Sequence, residues 1–414
     1  MSFPNSGREF DSPIPHQMNN QHEGLRTWIE VSRGAIAHNY GEFRKLLKPT
    51  TMLMAVVKSN AYGHGLWDFA LEMQKLGADW LGVDSIVEGV RLREKGVIIP
   101  LLVLGYTLPE RLEDALKYNI SLGVSTFDTL GQLRARQDEL PGIKIHVKSD
   151  TGMHRQGFLP RDVPALLAFL SPPLPASPSG RGRSHGLVVE GLFTHFGSVD
   201  NPRFPNATKE QIECFKKVIA QFHEAGFQPI VHSCNTGGAL SHPEAHFDMV
   251  RVGKGLYGYF PSPETRAKHA KSSRFNLDGR LNLELRPVLG WKTLVGEIKR
   301  LPDGGYVGYD GTELVPPGTV LAVLPVGYWH GYMRKVFSGV GRVRVRGQSA
   351  KVVGRVSMDI TSVDVTHIPG VVVGDEVALL DSYINADEIA GLTETINYEV
   401  LTHINPLIKR VYTD

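Results

Sequence analysis

The chain has 414 residues, with 45 Lys plus Arg against 43 Asp plus Glu, and 42% of it is hydrophobic. That length exceeds one comfortable core and predicts two domains, and the near balance of charge leaves no electrostatic footprint for nucleic acid. Two cysteines, Cys214 and Cys234, make no disulfide framework and no CxxC pair for zinc or redox work, so a reducing, cytoplasmic setting is expected.

Residues 1–25 are polar and contain proline without an apolar centre, which reads as a disordered extension rather than a secretion signal. From about Thr51 to Gly258, short Val/Ile/Leu-rich runs alternate with amphipathic stretches. The runs are TMLMAVVK, DWLGVDS, IIPLLVLG, ISLGVS, IKIHVKSD, LVVEGLFTH, QPIVHS and DMVRVG, and the segments between them, such as LWDFALEMQKLG and KEQIECFKKVIAQFHEAG, repeat apolar residues at helical spacing. Eight strands separated by helices predict a (β/α)8 barrel over residues 26–265. Ser171–Gly186, dense in Pro, Ser, Gly and Arg, reads as a surface loop. Beyond residue 266 the texture changes to alternating segments such as RVRVRG and GVVVGDEVALLD, which predicts a mainly β domain over 266–414. The longest apolar run, VIIPLLVLGY, is too short to cross a bilayer.

Barrel loops after the strands converge on one mouth, and the unusual polar residues fall there in succession. Lys58 closes the first run; Lys148 and Arg155 bracket KSDTGMHR; His195 lies in FTHFGS; Asn235 and Thr236 open NTGG; Arg251 lies in the last run. Each alone could be a satisfied core group or a snorkelling cation. Together they suit pyridoxal phosphate: an amine for carbonyl condensation, hydroxyl and backbone donors for a phosphate, and an imidazole for a ring.

The segments AVVKSNAYGHG, KSDTGMHRQG, NTGGAL, VRVGKGLYG, VGYWHGYMR, VGRVSMD and NYEV follow the order and approximate spacing of the alanine racemase family, which the chain resembles from about Trp28 to Tyr412. The resemblance implies a pyridoxal 5'-phosphate enzyme interconverting L- and D-alanine by two bases and supplying D-alanine for peptidoglycan. It implies Lys58 as the Schiff-base lysine, Tyr328 as the second base, and Tyr62, Thr236, Gly253 and Tyr398 as phosphate contacts. Arg155 would meet the cofactor's phenolic oxygen and the substrate carboxylate, His195 would flank the ring, and Arg251 would face the pyridine nitrogen. Lys148 would be a candidate for carbamylation, and Met358 would meet the substrate carboxylate from the partner of a head-to-tail homodimer. A cation near Tyr328, His330 or an arginine, is expected to assist it. Two departures stand out: Trp329-His330 replaces the usual Ala-Asp, and Lys254 stands where an apolar residue is usual, so that its expected phosphate contact is through the backbone only. A broader small-amino-acid racemase acting on serine as well is the nearest alternative. A barrel-fold decarboxylase is opposed by Arg251, and a non-catalytic cofactor-binding barrel by the additional β domain.

Overall fold

Strands that are mainly apolar on both faces need cover on both, and a parallel barrel ringed by helices gives it. The computed structural model describes residues 23–170, 187–270 and 283–414. After an opening strand β1 (Thr27–Ser32), eight strands close into a parallel barrel: β2 (Met52–Val56), β3 (Trp80–Val83), β4 (Leu101–Val103), β5 (Ser121–Val124), β6 (Ile143–Lys148), β7 (Leu187–Phe193), β8 (Ile230–His232) and β9 (Met249–Val252). Each lies within one of the eight runs named above. Two of the connecting helices begin at side-chain caps: Ser85 accepts from Glu88 N–H at the start of Ile86–Glu94, and Thr126 from Thr129 N–H at the start of Phe127–Ala135. Residues 1–22 of the expected extension over 1–25, and the loop at 171–186, lie outside the described residues.

Strand β1 departs from the expected grouping of residues 26–265. It pairs antiparallel with Leu289–Leu294 and parallel with Arg410–Thr413, within a nine-stranded sheet. The barrel is already closed by the β2–β9 pairing, so it has no edge to receive another strand. Trp28, Ile29 and Val31 are instead buried against the sheet. One continuous apolar core joins the two units, running from Leu53 and Val103 in the barrel through Phe43 and Tyr257 to Trp291 and Val343 in the sheet. No described helix is long and apolar enough to cross a membrane.

Candidate active site

Strand β2 stops at Val56, so Lys58 does not end it as the sequence reading had it; the lysine lies two residues beyond, at the barrel mouth. Its ammonium is half-exposed and paired with Asp84 at 3.1 Å. The next four residues, Ser59, Asn60, Ala61 and Tyr62, all have positive φ (55°, 56°, 50° and 51°), a left-handed turn that costs L-residues about 1–2 kcal/mol each. Strong braces hold it. Glu88 Oε1 accepts from the N–H groups of Ser59 and Asn60 (2.7 and 3.4 Å), its Oε2 accepts from Asp84 N–H (2.9 Å), and Asn60 Oδ1 accepts from Leu66 N–H (2.9 Å). From the sheet, Arg410 donates to the Gly63 carbonyl (3.0 Å) and the Tyr412 hydroxyl to the His64 carbonyl (3.1 Å).

The turn borders a cavity of about 840 Å³ lined by five cations, Lys58, Lys148, Arg155, Arg251 and Lys254, against one carboxylate, Asp84. Such a balance selects an anionic ligand. Lys148 is buried, donates to Gln156 (3.1 Å) and lies over the Phe193 ring (5.6 Å). Burial, followed by the fields of Arg155 and Arg251, pulls its pKa down to about 8. Arg155 is exposed at the rim. Arg251 is buried, and desolvation draws its pKa to about 10, which leaves it charged near neutral pH. Its guanidinium donates to the carbonyls of Thr194 (2.7 Å) and Ser233 (2.9 Å) and to His195 Nδ1 (3.1 Å). Burial and then the Arg251 charge hold His195 well below its ordinary pKa, so it is a neutral imidazole.

Behind Arg251 a polar row crosses the barrel interior. Arg251 contacts His232 Nδ1 (2.9 Å), His232 Nε2 contacts His146 Nδ1 (2.9 Å), and His146 Nε2 contacts Glu190 Oε2 (3.3 Å), which Ser121 and Lys144 also approach. Gly191 makes room for it: a Cβ there would lie 2.1 Å from His146 Nδ1. The sequence reading missed His146, His232 and Glu190, and their one signal was a glycine inside an apolar strand.

At another corner of the cavity, Thr236 Oγ1 accepts from the N–H groups of Gly253 (3.2 Å) and Gly255 (3.4 Å). Asn235 lines the cavity, yet its side-chain oxygen accepts from Gly238 N–H (2.9 Å), so it caps the following turn. The rings of Tyr62 and Tyr398 meet at 5.4 Å, and Lys254 Nζ lies 4.2 Å from the Tyr398 ring centre. Burial raises the pKa of both phenols, so both remain hydroxyl donors. Tyr398 comes from the helix Asn397–Thr402 of the second unit, so this corner already draws on both units of one chain.

Tyr328 and Met358 are not among the residues lining this cavity. They sit together in the sheet unit, where Tyr328 N–H donates to the Ser357 carbonyl and Trp329 N–H to the Met358 carbonyl, both at 3.0 Å. Both side chains face solvent, at 41% and 55% exposure. The expected help from His330 is not supported by its setting. His330 is buried, its Nδ1 accepts from Gly327 N–H (3.2 Å), and burial lowers its pKa, so it braces the loop as a neutral ring. Among the described residues no group of His, Cys, Asp and Glu is placed to hold a metal ion.

A parallel barrel with a lysine amine, a buried guanidinium and a corner of tyrosine and threonine hydroxyls at its mouth, backed by a mainly β unit, defines an enzyme of the barrel-and-sheet class. The profile described as alanine racemase, N-terminal domain, matches residues 31–261, and that of the alanine racemase C-terminal domain matches 288–412. The chain belongs to the alanine racemase family. It is 38% identical to an alanine racemase of Symbiobacterium thermophilum, over 94% of this chain and 98% of that one. It is 35% identical to one of Leptospira interrogans, over 94% and 96%. The solved alanine racemase of Clostridium difficile 630 superposes with a TM-score of 0.84 at 31% identity, covering 94% of this chain and 96% of that one.

Proposed function

We propose that the protein is an isomerase that interconverts L-alanine and D-alanine with pyridoxal 5'-phosphate, supplying D-alanine for peptidoglycan. The observation that carries this reading is the cavity at the barrel mouth, where Lys58, the Arg251–His195 pair and the Tyr62–Thr236–Gly253–Tyr398 corner line one space in a chain of this family. The residues fit the cofactor. A Cβ at Gly253 would lie 2.9 Å from the Tyr62 hydroxyl, so the bare backbone keeps that corner open to a phosphate, and the cationic lining suits both a phosphate and a substrate carboxylate.

Lys58 would hold the cofactor through its amine, with Tyr62, Asn235, Thr236, Gly253 and Tyr398 around the phosphate and His195 against the ring. When bound, pyridoxal phosphate withdraws electrons from the substrate and so acidifies its Cα–H. Arg251, fixed by the Thr194 and Ser233 carbonyls, would face the ring nitrogen with no acceptor to offer, which would disfavour a proton on that nitrogen and limit diversion to other reactions. Arg155 orients the carboxylate, with Met358 contributing from a partner subunit. Lys58 moves the proton at one face of Cα and Tyr328 at the other. Because Tyr328 and Met358 face solvent in their own chain, a head-to-tail homodimer would complete each site. Free thiols at Cys214 and Cys234 accord with a cytoplasmic enzyme.

The test is incubation of cofactor-loaded protein with L-alanine and L-serine followed by chiral chromatography. D-alanine supports the reading, and D-serine at comparable rates would widen it to small amino acids. Carbon dioxide release would favour a decarboxylase, and no reaction a non-catalytic binder.

A further inference from the structure

Lys254 is buried, and no carboxylate among the described residues lies within ion-pair distance of it. Its ammonium donates to the Pro261 carbonyl at 3.0 Å and faces the Tyr398 ring at 4.2 Å. Both neighbours line the same cavity, as Lys254 itself does. A buried ammonium without a counter-ion is destabilised, and it marks a place where an anion belongs.

The surroundings say which part of the ligand that is. Through Tyr398 the lysine adjoins Tyr62, whose hydroxyl lies beside Gly253, whose N–H in turn donates to Thr236. Lys58, Arg155 and Arg251 act together on Lys148, whereas the one charge acting on Lys254 is that of Asp387. The cationic lining therefore divides into a carboxylate-and-ring end and a hydroxyl-and-amide corner with a charge of its own.

We propose that Lys254 is the ionic anchor of that corner, pairing with the dianionic phosphate of the cofactor where hydroxyl and backbone donors would otherwise act alone. This rests on the pyridoxal phosphate reading above. Burial lowers the pKa of Lys254 to about 8, offset in part by Asp387 at longer range; Tyr398, whose ring it faces, and Tyr62 beyond that ring stay protonated. Phosphate binding restores the ammonium, so on binding above that pH the protein takes up a proton that phosphate-free pyridoxal does not draw in.

The experiment compares pyridoxal 5'-phosphate with pyridoxal on cofactor-stripped, full-length protein, by tryptophan fluorescence titration. Lys254→Met should weaken binding of the phosphate compound at neutral pH by roughly tenfold or more and leave pyridoxal nearly unaffected, with Lys254→Arg restoring most of the loss. Equal weakening of both compounds, or of neither, would overturn the assignment. Calorimetry on the unaltered protein at about pH 8.5, where a phosphomonoester is already dianionic, gives a check that needs no variant. Proton uptake in two buffers of different ionisation enthalpy should be greater for the phosphate compound, and equal uptake would sink the proposal. Failure to bind either compound would overturn the cofactor reading and this assignment with it.

Discussion

Arg251 donates to Nδ1 of His232 across 2.9 Å, and since arginine has no acceptor, this contact orients every bond behind it. His232 must carry its proton on Nε2 and give it to His146 Nδ1, and His146 must in turn donate from Nε2 to Glu190. Both rings are therefore neutral and of one tautomer, and a half-buried carboxylate ends the row. The dipoles all run one way, from guanidinium to carboxylate, and hold Arg251 against the cavity floor.

Glu190→Leu leaves the His146 N–H with no acceptor in a buried site. It should destabilise the fold by about 1–3 kcal/mol, read as a lower denaturation midpoint. Gly191→Ala should do at least as much, because its Cβ would lie 2.1 Å from the His146 ring.

Acid should unfold the protein earlier than its carboxylates alone would dictate. His64, His146, His195 and His232 are all buried with pKa values lowered by desolvation, His64 to about 3. The unfolded chain binds protons at these positions from about pH 6.5 downward while the folded chain does not, so stability falls as pH falls. Each of these rings that stays neutral in the folded chain adds a slope of up to about 1.4 kcal/mol per pH unit once its unfolded-state imidazole is protonated. Denaturant melts between pH 7.5 and about pH 5 measure it; a flat profile would contradict the burial of neutral rings.

Borohydride reduction of the cofactor-loaded protein should fix the label on Lys58, located by peptide mapping. Lys58→Ala should lower turnover by at least about a thousandfold. Label on any other lysine would displace Lys58 from the centre of the reaction.

Co-expressing Lys58→Ala with Tyr328→Phe tests the composite site. A mixed dimer carries one site with both wild-type groups and one with neither, so purified heterodimers should recover about half the wild-type activity. Heterodimers as inactive as either single variant would mean that both groups act within one chain.

Lys148 has a pKa near 8 through burial among cations, which keeps part of it as the neutral amine that adds carbon dioxide. The carbamate so formed would be an anion facing Arg155. Protein equilibrated with 13C-bicarbonate should show a carbamate resonance that Lys148→Ala removes.

The barrel was legible because its strands are apolar on both faces, and eight such runs at regular intervals leave few other architectures. Strand β1 was not, since a short alternating segment says nothing about which distant strands will pair with it. Position after successive barrel strands, and then family motifs, singled out Lys58, Arg155, His195 and Arg251, and the structure brings all four to one cavity. The turn after Lys58 escaped notice because Ser, Ala and Tyr carry no signal for positive φ, and its braces, Glu88 and Arg410, come from other parts of the chain. His146 and His232 stand 86 residues apart, so no local pattern announces their contact. Lys254 was visible as an oddity within VRVGKGLYG, but its lack of a counter-ion is a property of the fold.

The brace that Arg410 gives to Gly63 spans 347 residues, and translation separates the two in time. On the ribosome, where chains grow at about 5–20 residues per second, Lys58 emerges after the first barrel strand and the other seven follow while the turn that aims its amine still lacks Arg410 and Tyr412. A nascent barrel therefore has its lysine but not its site. A premature stop just before residue 410 would yield a molecule with every barrel strand and the Glu88 and Asn60 braces, but without the two that the sheet supplies.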